Sequence, residues 1–67
     1  MNLVVNGASR TVREGASVAD LVAALGLSRS GSGIAVALNG EVVPRSEWSR
    51  ALGELDRVEI LTAVQGG

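Results

Sequence analysis

The spacing of apolar and polar positions changes along this chain, and each change marks an element. Leu3-Val4-Val5, then Asn6-Gly7, then Ser9-Arg10-Thr11-Val12-Arg13 predict a β-hairpin. Asn-Gly suits a two-residue type I′ turn, whose central positions both need positive φ. After the turn-like Glu14-Gly15-Ala16, the apolar positions Val18, Leu21, Val22 and Leu25 form one helical stripe. Ser17 is its predicted N-cap, with Asp20 three residues on in a capping-box position. Gly26 is placed to close the helix in a left-handed conformation. Ile34-Ala35-Val36-Ala37-Leu38 alternates large with small, as a strand does when Ile34, Val36 and Leu38 face a core. Asn39-Gly40 is a second tight turn, and Glu41-Val42-Val43 is a short return strand ended by Pro44. Arg45 to Ser49 predicts a single helical turn, with Trp48 over the edge of the core and its N–H on a carbonyl. Leu52 to Asp56 reads as a loop. Arg57 to Val64 is the last strand, with Val58, Ile60 and Thr62 on one face. Strand, strand, helix, strand, short strand, strand makes a two-layer α+β domain in which one helix covers one face of a sheet.

Composition narrows what such a domain can do. A chain of 67 residues forms one small domain, which buries only about 60% of its unfolded surface. It has no cysteine and no histidine, so disulfides, thiolate metal sites and imidazole bases are absent. Packing of Val, Leu, Ile and Ala must hold it together, with Trp48 as the single aromatic. A net charge of −1 and the lack of stacking aromatics argue against nucleic-acid binding. No apolar run approaches the ~20 residues of a membrane span. The first residues carry no basic region or cleavage motif of a signal peptide, so a cytoplasmic location is expected. The Gly-rich stretch from Ser30 to Gly33 lacks the Gly-Lys-Ser/Thr ending of a phosphate loop and leads into no helix.

Gly66-Gly67 closes the sequence. Glycine has the least hindered acyl carbon of any residue, and two in succession make a thin, pliable tail that fits a narrow site. A frayed end is the plain alternative. All six basic residues are arginine. That reflects genomic base composition, or it spares an activated C-terminus from side-chain amines.

Taken together, these segments resemble the ThiS family, the bacterial sulfur carriers of thiamin thiazole synthesis, within the ubiquitin-like β-grasp fold. The matching pieces are Val4-Val5-Asn6-Gly7, Ser17-Val18-Ala19-Asp20-Leu21 and the block from Ala35 to Trp48 that holds Asn39-Gly40 and Pro44-Arg45-Ser46-Glu47-Trp48. Asp56-Arg57-Val58-Glu59-Ile60 and Ala63-Val64-Gln65-Gly66-Gly67 complete them. Two features depart from the family: Leu55 stands where a glycine is usual, and the loop from Ser30 to Gly33 is unusually glycine-rich. If the usual glycine has positive φ, Leu55 bears strain or sits in a rebuilt turn that uses Gly53.

The resemblance implies a globular β-grasp domain over residues 1–64 and a mobile tail of Gln65, Gly66 and Gly67. It implies a carrier rather than an enzyme, with no bound cofactor, no metal and no catalytic residues of its own. A ThiF-type adenylating enzyme would use MgATP to activate the Gly67 carboxylate. Sulfur that originates with a cysteine desulfurase would convert it to a thiocarboxylate, for delivery to thiazole synthase. Partners would grip the domain while the tail enters their sites, and the free protein is expected to be a monomer. If Leu3 and Val5 face the helix, Val4 faces away, and alternation places Ala35, Ala37 and Leu61 beside it as a flat apolar docking patch. The nearest alternative with the same fold and activation is the small subunit of molybdopterin synthase; another ubiquitin-like sulfur carrier or a protein modifier would use the same diglycine.

Overall fold

The structure, a computed structural model, describes residues 1–27 and 32–63. Its elements are β1 (Asn2–Val5), β2 (Ala8–Thr11), α1 (Val18–Ala24), β3 (Ile34–Leu38), β4 (Glu41–Val42), a 3₁₀ turn (Arg45–Glu47) and β5 (Arg57–Thr62). The strands form one mixed sheet in the order β2-β1-β5-β3-β4. The last strand in sequence is therefore the central strand in space. It runs parallel to β1 and antiparallel to β3. This is the α+β, β-grasp arrangement expected from the sequence, one helix against a mixed sheet.

Alternation puts Leu3, Val5, Val36, Leu38, Val58 and Ile60 on the inner face, where they meet Val18, Leu21 and Val22 of α1. Ile34 is half-buried beside them, and Thr62, on the same face by alternation, is exposed because the core has ended there. Trp48 lies inside the core rather than over its edge, only 2% exposed, and its Nε1–H donates to the Val43 carbonyl at 3.2 Å. Arg45 stacks over its ring, 4.7 Å from the centroid. Leu52, in the stretch read as loop, is also buried. A lone leucine among Gly, Glu and Asp has no periodicity to reveal that it is inward-facing.

The segment from Trp48 to Leu52 completes the start of the helix. The first N–H groups of a helix have no partner within it. Here the Val18 N–H donates to the Arg50 carbonyl at 3.1 Å and the Ala19 N–H to the Trp48 carbonyl at 2.9 Å. The Asp20 N–H donates to Ser17 Oγ, and the Asp20 carboxylate accepts from the Ser17 N–H, closing the predicted capping box. The Ser17 N–H, then the Ser17 hydroxyl, and more weakly Arg13 at 3.0 Å, hold the Asp20 carboxyl below the usual range. At the other end Gly26 has φ +75, as the predicted left-handed closure requires.

Leu55 has φ +64 and is 65% exposed, while Gly53 is not in the left-handed region. The leucine therefore bears the unfavourable conformation, and the turn is not rebuilt around Gly53. A left-handed non-glycine residue costs roughly 1–2 kcal/mol, whereas glycine adds about 0.5–1 kcal/mol of chain entropy to lose. Leu55→Gly is thus expected to stabilise the domain by up to about 1 kcal/mol, raising Tm by several degrees at roughly 4–8 °C per kcal/mol. Thermal denaturation checks this; a lower Tm would show that the turn carries no strain.

Candidate functional site

The candidate site is a tail and the platform that launches it. Val64, Gln65, Gly66 and Gly67 lie outside the described residues, as do Ser28 to Gly31 of the glycine-rich loop. The platform is β5, whose end at Thr62 is followed directly by Ala63 and the tail.

Both Asn-Gly turns hold this strand as well as reversing the chain. Asn6 (φ +49) and Asn39 (φ +50) take the left-handed conformation that the tight turns require. The two side chains then reach β5. Asn6 Oδ1 accepts from the Ile60 N–H at 2.8 Å, and its Nδ2 donates to the Ile60 carbonyl at 3.1 Å. The amide thus copies a strand backbone and adds one rung where β1 has already turned away. Asn39 Oδ1 accepts from the Arg57 N–H at 2.9 Å, and its Nδ2 donates to Asp56 Oδ1 at 3.0 Å. Asp56 Oδ2 in turn accepts from the Gly53 N–H at 2.7 Å. Sequence reasoning identifies the two turns but not this bracing, because it depends on which strand lies beside each turn.

The predicted docking residues do share the sheet face opposite the helix. Ala35 pairs with Leu61 across β3 and β5, and Val4 is in register with Arg57 across β1 and β5. Leu61 is 71% exposed and Ala35 is exposed; Val4 and Ala37 are half-buried. Two corrections apply to the patch. Val42, opposite Ala37 on β4 and 78% exposed, belongs to this face and was not read from the sequence. Arg57 and Glu59 also lie on it, so the face is apolar at its two ends and charged between them. Alternation along β5 is the signal that places both charges there. Leu61 stands between two shallow depressions, one lined by Val4, Gly7, Arg57 and Glu59 and the other by Gly33, Ile34, Ala35 and Ala63.

Among the described residues no three carboxylates converge where a metal ion could sit. Nor is any described helix long and apolar enough to cross a membrane.

The sequence profile of the ThiS family matches residues 3–67. The chain belongs to the ThiS family. Solved structures agree over the full length. A crystal structure of the thiamine biosynthesis protein ThiS from Geobacter metallireducens is 37% identical, with both chains wholly covered and a TM-score of 0.82. A solution structure of a thiamine biosynthesis protein from the same organism is 37% identical with a TM-score of 0.83, covering all of this chain and 88% of that one. No curated protein sequence matches significantly. ThiS membership accounts for the β-grasp architecture.

Proposed function

We propose that this protein is the sulfur carrier of thiamin thiazole synthesis, with the Gly67 carboxylate as its working group. One observation carries the reading: the ThiS profile runs to residue 67 and so includes the diglycine.

A carboxylate is a poor acyl donor because its leaving group is oxide. The partner, a ThiF-type adenylating enzyme, overcomes this with MgATP. A Gly67 carboxylate oxygen attacks the α-phosphorus, pyrophosphate leaves, and an acyl-adenylate forms. The terminal sulfur of a persulfide, supplied through a cysteine desulfurase, then attacks the acyl carbon and displaces AMP. A second thiol cleaves the resulting acyl disulfide, leaving the Gly67 thiocarboxylate and a disulfide on the donor side. The thiocarboxylate passes its sulfur to thiazole synthase. This chain contributes an unhindered acyl group and a rigid base for it. The acid, base and metal chemistry belongs to the partners, which makes the protein a co-substrate. Gln65 and Gly66 span the distance from the domain to the reacting carbon.

The deciding measurement is the intact mass after incubation with MgATP, a ThiF-type enzyme and a persulfide source. An oxygen-to-sulfur increase localised to Gly67 is expected. No increase, with the same enzymes active on a known carrier, removes the reading.

The outer sheet face serves this chemistry as the docking surface, with Leu61 and Ala35 at the end where β5 leads into the tail and Val4, Ala37 and Val42 flanking the charges of Arg57 and Glu59. Leu61→Glu places a charge where apolar contact forms on binding. It is expected to weaken binding to the adenylating enzyme at least about tenfold while leaving the melting curve unchanged, because Leu61 is already exposed. Titration calorimetry checks this, and unchanged affinity would refute the patch.

A further inference from the structure

The ladder along β5 ends one rung short of the strand. In an antiparallel pair, the backbone groups of alternate residues point toward the partner strand and the rest point away. On the β3 side the groups facing inward belong to the odd-numbered residues. The Asn39 N–H donates to the Arg57 carbonyl at 2.7 Å, and the Ala63 N–H to the Gly33 carbonyl at 2.6 Å. The backbone groups of Val58, Ile60 and Thr62 therefore face β1. The first two rungs are filled. The Asn6 N–H donates to the Val58 carbonyl at 2.9 Å, and the Asn6 side chain takes both groups of Ile60. The chain then turns away at Gly7. No described residue hydrogen-bonds the N–H or carbonyl of Thr62 on that side.

A donor and an acceptor presented together at a sheet edge are the template for strand addition. Asn6 sets where the template starts, since its amide closes the preceding rung and Gly7 leaves no side chain beyond it. The occupant follows from chain geometry, given the carrier reading above. Five residues separate Thr62 from Gly67, a reach of at most about 17 Å. Any enzyme that encloses the Gly67 carboxylate must therefore come within about 17 Å of Thr62.

We infer that the adenylating enzyme lays an extended backbone segment along β5 at Thr62, continuing the sheet past Asn6 and gripping the carrier by main-chain hydrogen bonds immediately before the tail. This inference rests on the carrier reading. It adds a contact that is independent of side-chain identity on the carrier, on the edge rather than on the face that holds Leu61.

Thr62→Pro tests it. Proline removes the Thr62 N–H and fills the space in front of it, while the fold makes no use of that donor. Leu61 is already extended, as a residue before proline must be. The variant is expected to melt close to the wild type and to bind the adenylating enzyme at least about tenfold more weakly. Thr62→Ala, which changes only the side chain, should bind within about twofold of wild type. Hydrogen exchange on the unaltered protein supplies a second readout: the Thr62 amide should exchange rapidly when free and slow on addition of the enzyme. Wild-type protein that takes up sulfur while Thr62→Pro binds as tightly, or while the Thr62 amide stays unprotected in the complex, overturns strand addition and leaves the carrier reading standing. Wild-type protein that is never activated removes the carrier reading and this inference with it.

Discussion

A chain carrying one extra residue after Gly67 is expected to gain no sulfur at Gly67. On the proposed function the reacting group is the Gly67 carboxylate, and an added residue converts it to an amide carbonyl with no ionised oxygen to attack ATP. The new carboxylate lies about 3.5 Å further along the chain. A misplacement of only 1 Å can cost on the order of a hundredfold in rate, so activation at the new end should fall by at least that much. Gly67→Ala is the milder companion. It keeps the carboxylate in place and adds one methyl beside the acyl carbon, so activation should slow without vanishing. Intact mass over a time course, with the same adenylating enzyme and persulfide source, measures both. An extended chain that carried sulfur at the wild-type rate would contradict the assignment of Gly67.

Trp48→Ala is expected to leave the domain largely unfolded at 37 °C. Removing a buried Phe or Trp side chain typically costs about 3–5 kcal/mol. At roughly 0.05–0.15 kcal/mol per residue, a domain of this length holds about 3–10 kcal/mol in total. Position adds to the loss. The Trp48 carbonyl accepts from Ala19 at the start of α1, and Arg50, two residues on, accepts from Val18. A loosened indole therefore slackens the segment that completes the helix N-terminus. Trp48→Phe separates the two contributions. It keeps most of the apolar bulk but leaves the Val43 carbonyl without its donor, a loss of about 1–3 kcal/mol. Far-ultraviolet circular dichroism against temperature checks both variants. A Trp48→Ala protein melting within a few degrees of wild type would show that the indole is not part of the core.

Much of this architecture is legible from local patterns. Asn6-Gly7, Asn39-Gly40, Ser17 with Asp20, and Gly26 each specify a backbone conformation that few other residues adopt, and the structure places all of them as read. Leu55 is legible by comparison with a family pattern, because a glycine missing from a left-handed position must leave its mark on φ. What the sequence hides is neighbourhood across the sheet. The amides of Asn6 and Asn39 brace β5 because topology brings the last strand between the first and third. Val42 joins Leu61 on one face because of strand register, whereas the charges of Arg57 and Glu59 follow from alternation along β5 alone. Leu52 is buried by where its loop runs, through Leu52 N–H to the Ala16 carbonyl at 2.8 Å. The candidate site divides the same way: family resemblance points to Gly67, while the surface around Leu61 needed the register before its boundary could be drawn.

The strand order has a mechanical consequence. The tail continues the central strand, so an enzyme that pulls on it loads β5 along its own axis. The rungs to β1 and β3, and the amide of Asn6 among them, then bear the load in shear and in parallel. Had the tail followed an edge strand, the same tug could have opened one ladder like a zipper. With β5 in the middle, a pull on the chain end is shared by two ladders at once, and the domain behind it holds together.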